Sequence, residues 1–173
     1  MTPNEIVATD VFKAIGNRLS RYEYYNSLGA NDQTILRLTE FEGKTFGTLV
    51  EKMTIEFFQL QKRKNTQHDA IYDGRTIEIK SSRYWGCSKI YKFQHIEVDH
   101  DFDFLLTAVL REWGIEFRLM SKEAIQPYLI RQGKQGNFLE SRDAESIGTL
   151  INTREDLYNY FNRPEESVIY IPK

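Results

Sequence analysis

The sequence predicts an α/β or α+β chain built on a mixed sheet, and three observations lead there. In Thr45–Gln61, TFGTLVEKMTIEFFQLQ, apolar residues recur at helical spacing. His68–Tyr72 and Thr76–Ser81 are short alternating runs joined by Asp73-Gly74, a strong hairpin signal because both residue types accept the positive φ that a tight turn needs. Phe102–Leu110, FDFLLTAVL, is a near-continuous apolar run of the kind a buried central strand shows.

The remaining elements follow in order. Ile6, Val11, Phe12, Ile15 and Leu19 stand at loose helical spacing ahead of Tyr22, Tyr24 and Tyr25, which predicts one or two N-terminal helices. In the Thr45–Gln61 helix the expected buried stripe is Phe46, Leu49, Val50, Met53, Phe57 and Leu60, with Glu51 and Glu56 outside it. Ser88–Glu97 suits helix and strand alike. Glu112-Trp113-Gly114 turns the chain into a strand over Ile115–Met120, and Ser121 is placed to cap KEAIQPYL, a helix that Pro127 weakens. Arg131–Glu145, rich in Gly, Gln and charge, reads as an exposed loop. Thr153 with Asp156 resembles a capping box for REDLYNYFN, and Val168–Ile171 is expected as an edge strand.

Length and composition set the bounds. A chain of 173 residues with 40% apolar and 28% charged residues fits one soluble domain with a sizeable core. Its 23 basic and 25 acidic residues name no partner. Their distribution says more. Leu60–Gln94 holds eight Lys/Arg against three acids, so this window is +5 within a chain of net charge −2. That asymmetry suggests a polyanion-facing patch, although a solvated basic face has the same composition. One cysteine, Cys87, excludes an intramolecular disulfide and a Cys-cluster zinc site. No charged leader precedes an apolar run and no stretch approaches the roughly 18 apolar residues of a membrane span, so a cytoplasmic protein is expected.

The chemistry concentrates in the hairpin. If Asp69 opens one strand and Glu78 and Lys80 lie two apart on its neighbour, period-two alternation puts Glu78 and Lys80 on one face and the turn brings Asp69 beside them. Two converging carboxylates with room for water suit a hard divalent cation such as Mg²⁺, and the Ile79 carbonyl offers a further oxygen. Lys80 would then orient or help deprotonate an attacking water, or steady developing phosphorane charge. The same spacing also fits an exposed, salt-bridged strand face. His95, Glu97, Asp99, Asp101 and Asp103 alternate as well, but read better as a solvated turn entering the buried strand than as a second metal site.

The residues HDAIYDGRTIEIKSSR resemble the signature of the PD-(D/E)xK nuclease superfamily, with Asp69 at the first acid, Glu78 at the second and Lys80 at the lysine. The helix GTLVEKMTIEFF is similar to the one preceding that motif, where Glu51, ahead of Glu56, matches its glutamate. YKFQHI, DFDFLLTAVL and IEFRLMSKEAI are similar to the segment that follows it in restriction-endonuclease-like members. The likeness covers Gly43 to about Tyr128. Two departures stand out: His68 replaces the proline, and the connection from Gln61 to Asp69 is short for a full additional strand.

The resemblance implies a restriction-endonuclease-like core, a central mixed sheet flanked by helices, with extra N-terminal helices. It implies a single nuclease domain over 1–173, with a helical region 1–42, a catalytic core 43–128 and a C-terminal loop, helix and edge strand 129–173. Catalysis would fall to Glu51, Asp69, Glu78 and Lys80, with Asp69 and Glu78 holding Mg²⁺. Ser81, Ser82, Arg83, Tyr84, Lys89, Lys92 and Gln94 would meet double-stranded DNA, Arg83 as a reader of guanine, and Lys62, Arg63 and Lys64 would add phosphate contacts. The implied activity is that of a small type II restriction endonuclease working as a homodimer, with Tyr22–Tyr25 and the Arg131–Glu145 loop as interface and clamp. A structure-specific repair or junction-resolving nuclease is the alternative on the same core, and a non-catalytic DNA-binding module the alternative from another class.

Overall fold

The computed structural model describes residues 18–63 and 65–162. The expected helix around Ile6–Ile15, the edge strand over Val168–Ile171 and the position of Lys64 lie outside the described residues.

Helices α1 (Arg21–Ser27), α2 (Gln33–Glu40) and α3 (Gly43–Phe58) come first. Ser20 caps α1 in a full capping box with Glu23, and the Asp32 carboxylate accepts from the Thr34 amide at the start of α2. Then follow β1 (Gln61–Lys62), β2 (Ala70–Tyr72), β3 (Arg75–Arg83), β4 (Lys92–Ile96), β5 (Phe104–Arg111) and β6 (Gly114–Ser121). The chain closes with α4 (Lys122–Ile125), β7 (Ile130–Arg131), β8 (Asn137–Glu140), α5 (Ser141–Ile147), β9 (Thr149–Leu150) and α6 (Arg154–Asn162).

The result is a mixed α/β structure with a central sheet flanked by helices. Six strands run in the order β1-β2-β3-β5-β6-β9, antiparallel except for the parallel pair β3/β5, and a second sheet has the order β4-β8-β7. Parallel strands need a long crossover. Here β4, on the second sheet, lies within the connection where a helix is usual. The hairpin β2–β3 turns at Asp73 (φ 47°) and Gly74 (φ 79°), the two positive angles that the Asp-Gly pair anticipates. All of Leu105–Leu110 is buried, as the continuous apolar run requires of a strand covered on both faces. Ser121 caps α4, Pro127 sits in the 3₁₀ turn that follows, and Thr153 and Asp156 exchange the two bonds of a capping box.

Four expectations need correction. Helix α3 buries Phe46, Val50, Thr54 and Phe58, whereas Leu49, Met53 and Phe57 of the expected stripe are 38–41% exposed. The two rows lie side by side on the helix, and the sheet selects the one nearest it: a Cβ on Gly47 would stand 3.8 Å from the Ser81 hydroxyl of β3. Arg131–Glu145 is no loop. It contains β8 and most of α5, anchored by buried Phe138, Leu139 and Ala144. Tyr25, expected at an interface, is fully buried; its hydroxyl donates to the Leu110 carbonyl (2.5 Å) and accepts from the Tyr84 amide (3.1 Å). The β2 strand starts at Ala70, so His68 and Asp69 precede it.

Candidate active site

The hairpin register places the two acids. The paired register of the hairpin ends at Ala70 and Ile77, and Asp69, one residue earlier, stands within electrostatic reach of Glu78. The Asp69 amide donates to the Ile77 carbonyl (3.0 Å), which ties the residue to β3 just where the regular pairing stops. Its carboxylate accepts from the Ile79 amide through Oδ2 (2.8 Å), locking the side chain against β3. Glu78 and Lys80 share a face, with Lys80 Nζ 2.6 Å from Glu78 Oε1 and both side chains largely shielded from solvent.

Three carboxylates crowd one another here. Burial raises Glu78 above its ordinary value of 4.5; Lys80 opposes the rise and Asp69 adds to it. Glu51 on α3 is likewise raised, first by burial and then by Asp69, with Glu78 contributing. Protein cations counter the crowding: Lys80 at Glu78, and Arg63, whose guanidinium stands 4.0 Å from Asp69 Oδ1.

A divalent cation fits this donor set in one respect. It would offset the burial and the carboxylate repulsion that together lift Glu51 and Glu78, and Asp69 with Glu78 and the Ile79 carbonyl are oxygen donors of the type hard ions take. Among the described residues no group of three or more His, Cys, Asp or Glu side chains is arranged to hold a metal, so water would have to complete any coordination shell. The His95–Asp103 alternation does not persist: His95 adopts φ 59° at a bulge in β4, and Asp103 turns back to bind the Thr76 amide and hydroxyl.

The residues expected to touch DNA part company. The Arg83 guanidinium donates to the carbonyls of Leu38, Thr39 and Phe41 and lies over the Phe46 ring, so it closes the end of α2 instead of presenting a fork to guanine. Tyr84 is buried and donates to Glu112, and the buried Ser82 hydroxyl accepts from the Lys92 amide. Strand alternation explains this, because β3 carries its last residues under α2 and α3. Lys89 is exposed beside Glu112, Lys92 pairs with Glu140, and Ser81 and Gln94 are partly exposed.

Beside the acids lies a cleft of about 770 Å³ between the C-terminal half of α3 and β1, walled by Ile55 and Leu60 and lined by Lys52, Lys62 and Arg63 against the carboxylates of Glu51, Glu56 and Asp69. Sequence reading missed this feature. The signal was the helical spacing of Lys52, Ile55, Glu56 and Gln59, which puts a cation, an aliphatic wall and an amide on one face. The connection judged short for a strand does form one, two residues long, and it supplies the far lip.

No family model matches the chain, and no curated protein matches it. Among the described residues no helix is long and apolar enough to cross a membrane.

Proposed function

We propose that the chain is a Mg²⁺-dependent DNA endonuclease with a restriction-endonuclease-like core, hydrolysing phosphodiester bonds at the Asp69, Glu78 and Lys80 cluster. What carries the reading is the hairpin that brings Asp69 within electrostatic reach of Glu78, with Lys80 paired to Glu78 and Glu51 in reach of both acids. The hairpin beside a strand parallel to β3, with α3 packed on the sheet, supports the same core. Asp69 and Glu78 would hold the ion, which when bound supplies charge neutralisation at the scissile phosphate. Lys80, 2.6 Å from Glu78, orients the attacking water and offsets negative charge that builds on the phosphate oxygens. Glu51 accepts a hydrogen bond from water on the helix side and fixes its direction.

Double-stranded DNA cut at a specific sequence is the first reading, and cutting both strands would require two chains because each carries one such cluster. A structure-specific nuclease is the second, favoured by the cleft beside the acids. With folding verified by circular dichroism, Glu78→Ala and Lys80→Ala should each lower Mg²⁺-dependent cleavage of phage DNA by at least about a hundredfold while retaining DNA binding in Ca²⁺. Turnover near the parent level in both variants would remove the assignment, and a parent protein that binds DNA without any divalent-dependent cleavage would identify a non-catalytic binding module.

A further inference from the structure

The cleft beside the acids has a composition that duplex DNA does not need. Its walls, half-buried Ile55 and buried Leu60, are apolar. Lys52 and Lys62 make no ion pair among the described residues, and Arg63 reaches only Asp69, at 4.0 Å. Gln59 adopts φ 55° where α3 stops, and its amide stands exposed among the residues that line the cleft. A stacked duplex would show this recess only its phosphates, leaving the apolar walls and the amide unused.

Resting on the nuclease reading, we propose that the cleft receives one unstacked nucleotide adjacent to the phosphate held at Asp69 and Glu78. A volume of about 770 Å³ lies within the range of pockets that enclose a small ligand. The base face meets Ile55 and Leu60, and the base edge meets the Gln59 amide. The sugar–phosphate runs out over Lys62 and Arg63, in the division of labour that single-strand sites use. Asp69 stands on the rim of this cleft and at the hairpin site together, so a nucleotide seated here puts its neighbouring phosphate at the acids. The preferred substrate therefore carries an unpaired nucleotide or gives one up at low cost.

The test uses the full chain in Ca²⁺ and two labelled duplexes of one sequence, one fully paired and one with a single unpaired nucleotide, followed by fluorescence anisotropy and then by Mg²⁺ cleavage. The unpaired duplex should bind about tenfold more tightly and be cut next to the unpaired position. Ile55→Trp, which fills the cleft, should erase that preference while leaving affinity for the paired duplex within about twofold. If Ile55→Trp fails to fold, Gln59→Glu at the exposed rim should have the same effect by replacing the amide at the base edge with a carboxylate that can only accept. Equal binding and cutting of both duplexes, with Glu78→Ala still inactive, would overturn the cleft assignment and leave the nuclease reading standing. Absence of divalent-dependent cleavage on either duplex would overturn both.

Discussion

Replacing Arg83 by methionine separates a structural arginine from a base reader. The guanidinium donates to the Leu38 (2.8 Å) and Thr39 (2.9 Å) carbonyls and to that of Phe41, and its carbon lies 4.6 Å from the Phe46 ring centre. Burial and the nearby Arg21 push it down to about 10, so it remains charged at neutral pH. Methionine keeps much of the aliphatic stem but leaves two part-buried carbonyls without a donor, at about 1 kcal/mol each for bonds from a partly exposed charged group. Loss of the cation–π contact adds about 0.5–1 kcal/mol. The expected cost is about 3 kcal/mol, a large share of an ordinary folding free energy. With a urea slope of about 2 kcal/mol/M, the midpoint should fall by about 1.5 M. Arg83→Lys should recover only part of this, because one ammonium cannot reproduce the planar fork. A midpoint shift below about 0.3 M, together with relaxed sequence discrimination at one base pair, would refute the reasoning and return Arg83 to the DNA.

Glu78 carries a prediction about pH. Its carboxyl is raised above 4.5, chiefly by burial, so the folded state keeps a proton that the unfolded chain has released, and stability is lost as pH rises through that window. Glu78→Gln should remove that loss, so that the variant gains stability relative to the parent as pH rises from 4 to 8 without divalent ions; chemical denaturation in which the variant instead loses stability relative to the parent over that window would show the direction to be wrong. Tyr25→Phe should destabilise by about 2 kcal/mol, since it strands the buried Leu110 carbonyl and Tyr84 amide that the hydroxyl serves. A neutral result in urea would place water where the hydroxyl stands.

Local chemistry was legible in the sequence wherever a few adjacent residues decide the outcome. Asp73-Gly74 determined the hairpin, because few other residue pairs accept two successive positive φ angles, and the hairpin in turn brought Asp69 within reach of Glu78. Ser121 and Thr153 determined where helices begin, and the apolar run before Leu110 determined a central strand. Tertiary structure decided what depends on neighbours distant in the chain. Leu49, Met53 and Phe57 are as apolar as Phe46, Val50 and Phe58, and the side of α3 that packs on the sheet, where Gly47 approaches Ser81, decided which row is buried. Strand β8 was hidden in a Gly- and Gln-rich segment because Asn137, Leu139 and Glu140 pair with β4, far back in the chain. Arg83 looks the same in sequence whether it caps a helix or reads a base; its role followed from α2 ending within its reach. The cleft, too, exists only because a two-residue strand folds back beside α3, bringing Lys62 and Arg63 across from Lys52 and Ile55. Periodicity reports which residues share a face, and packing between elements decides what that face meets.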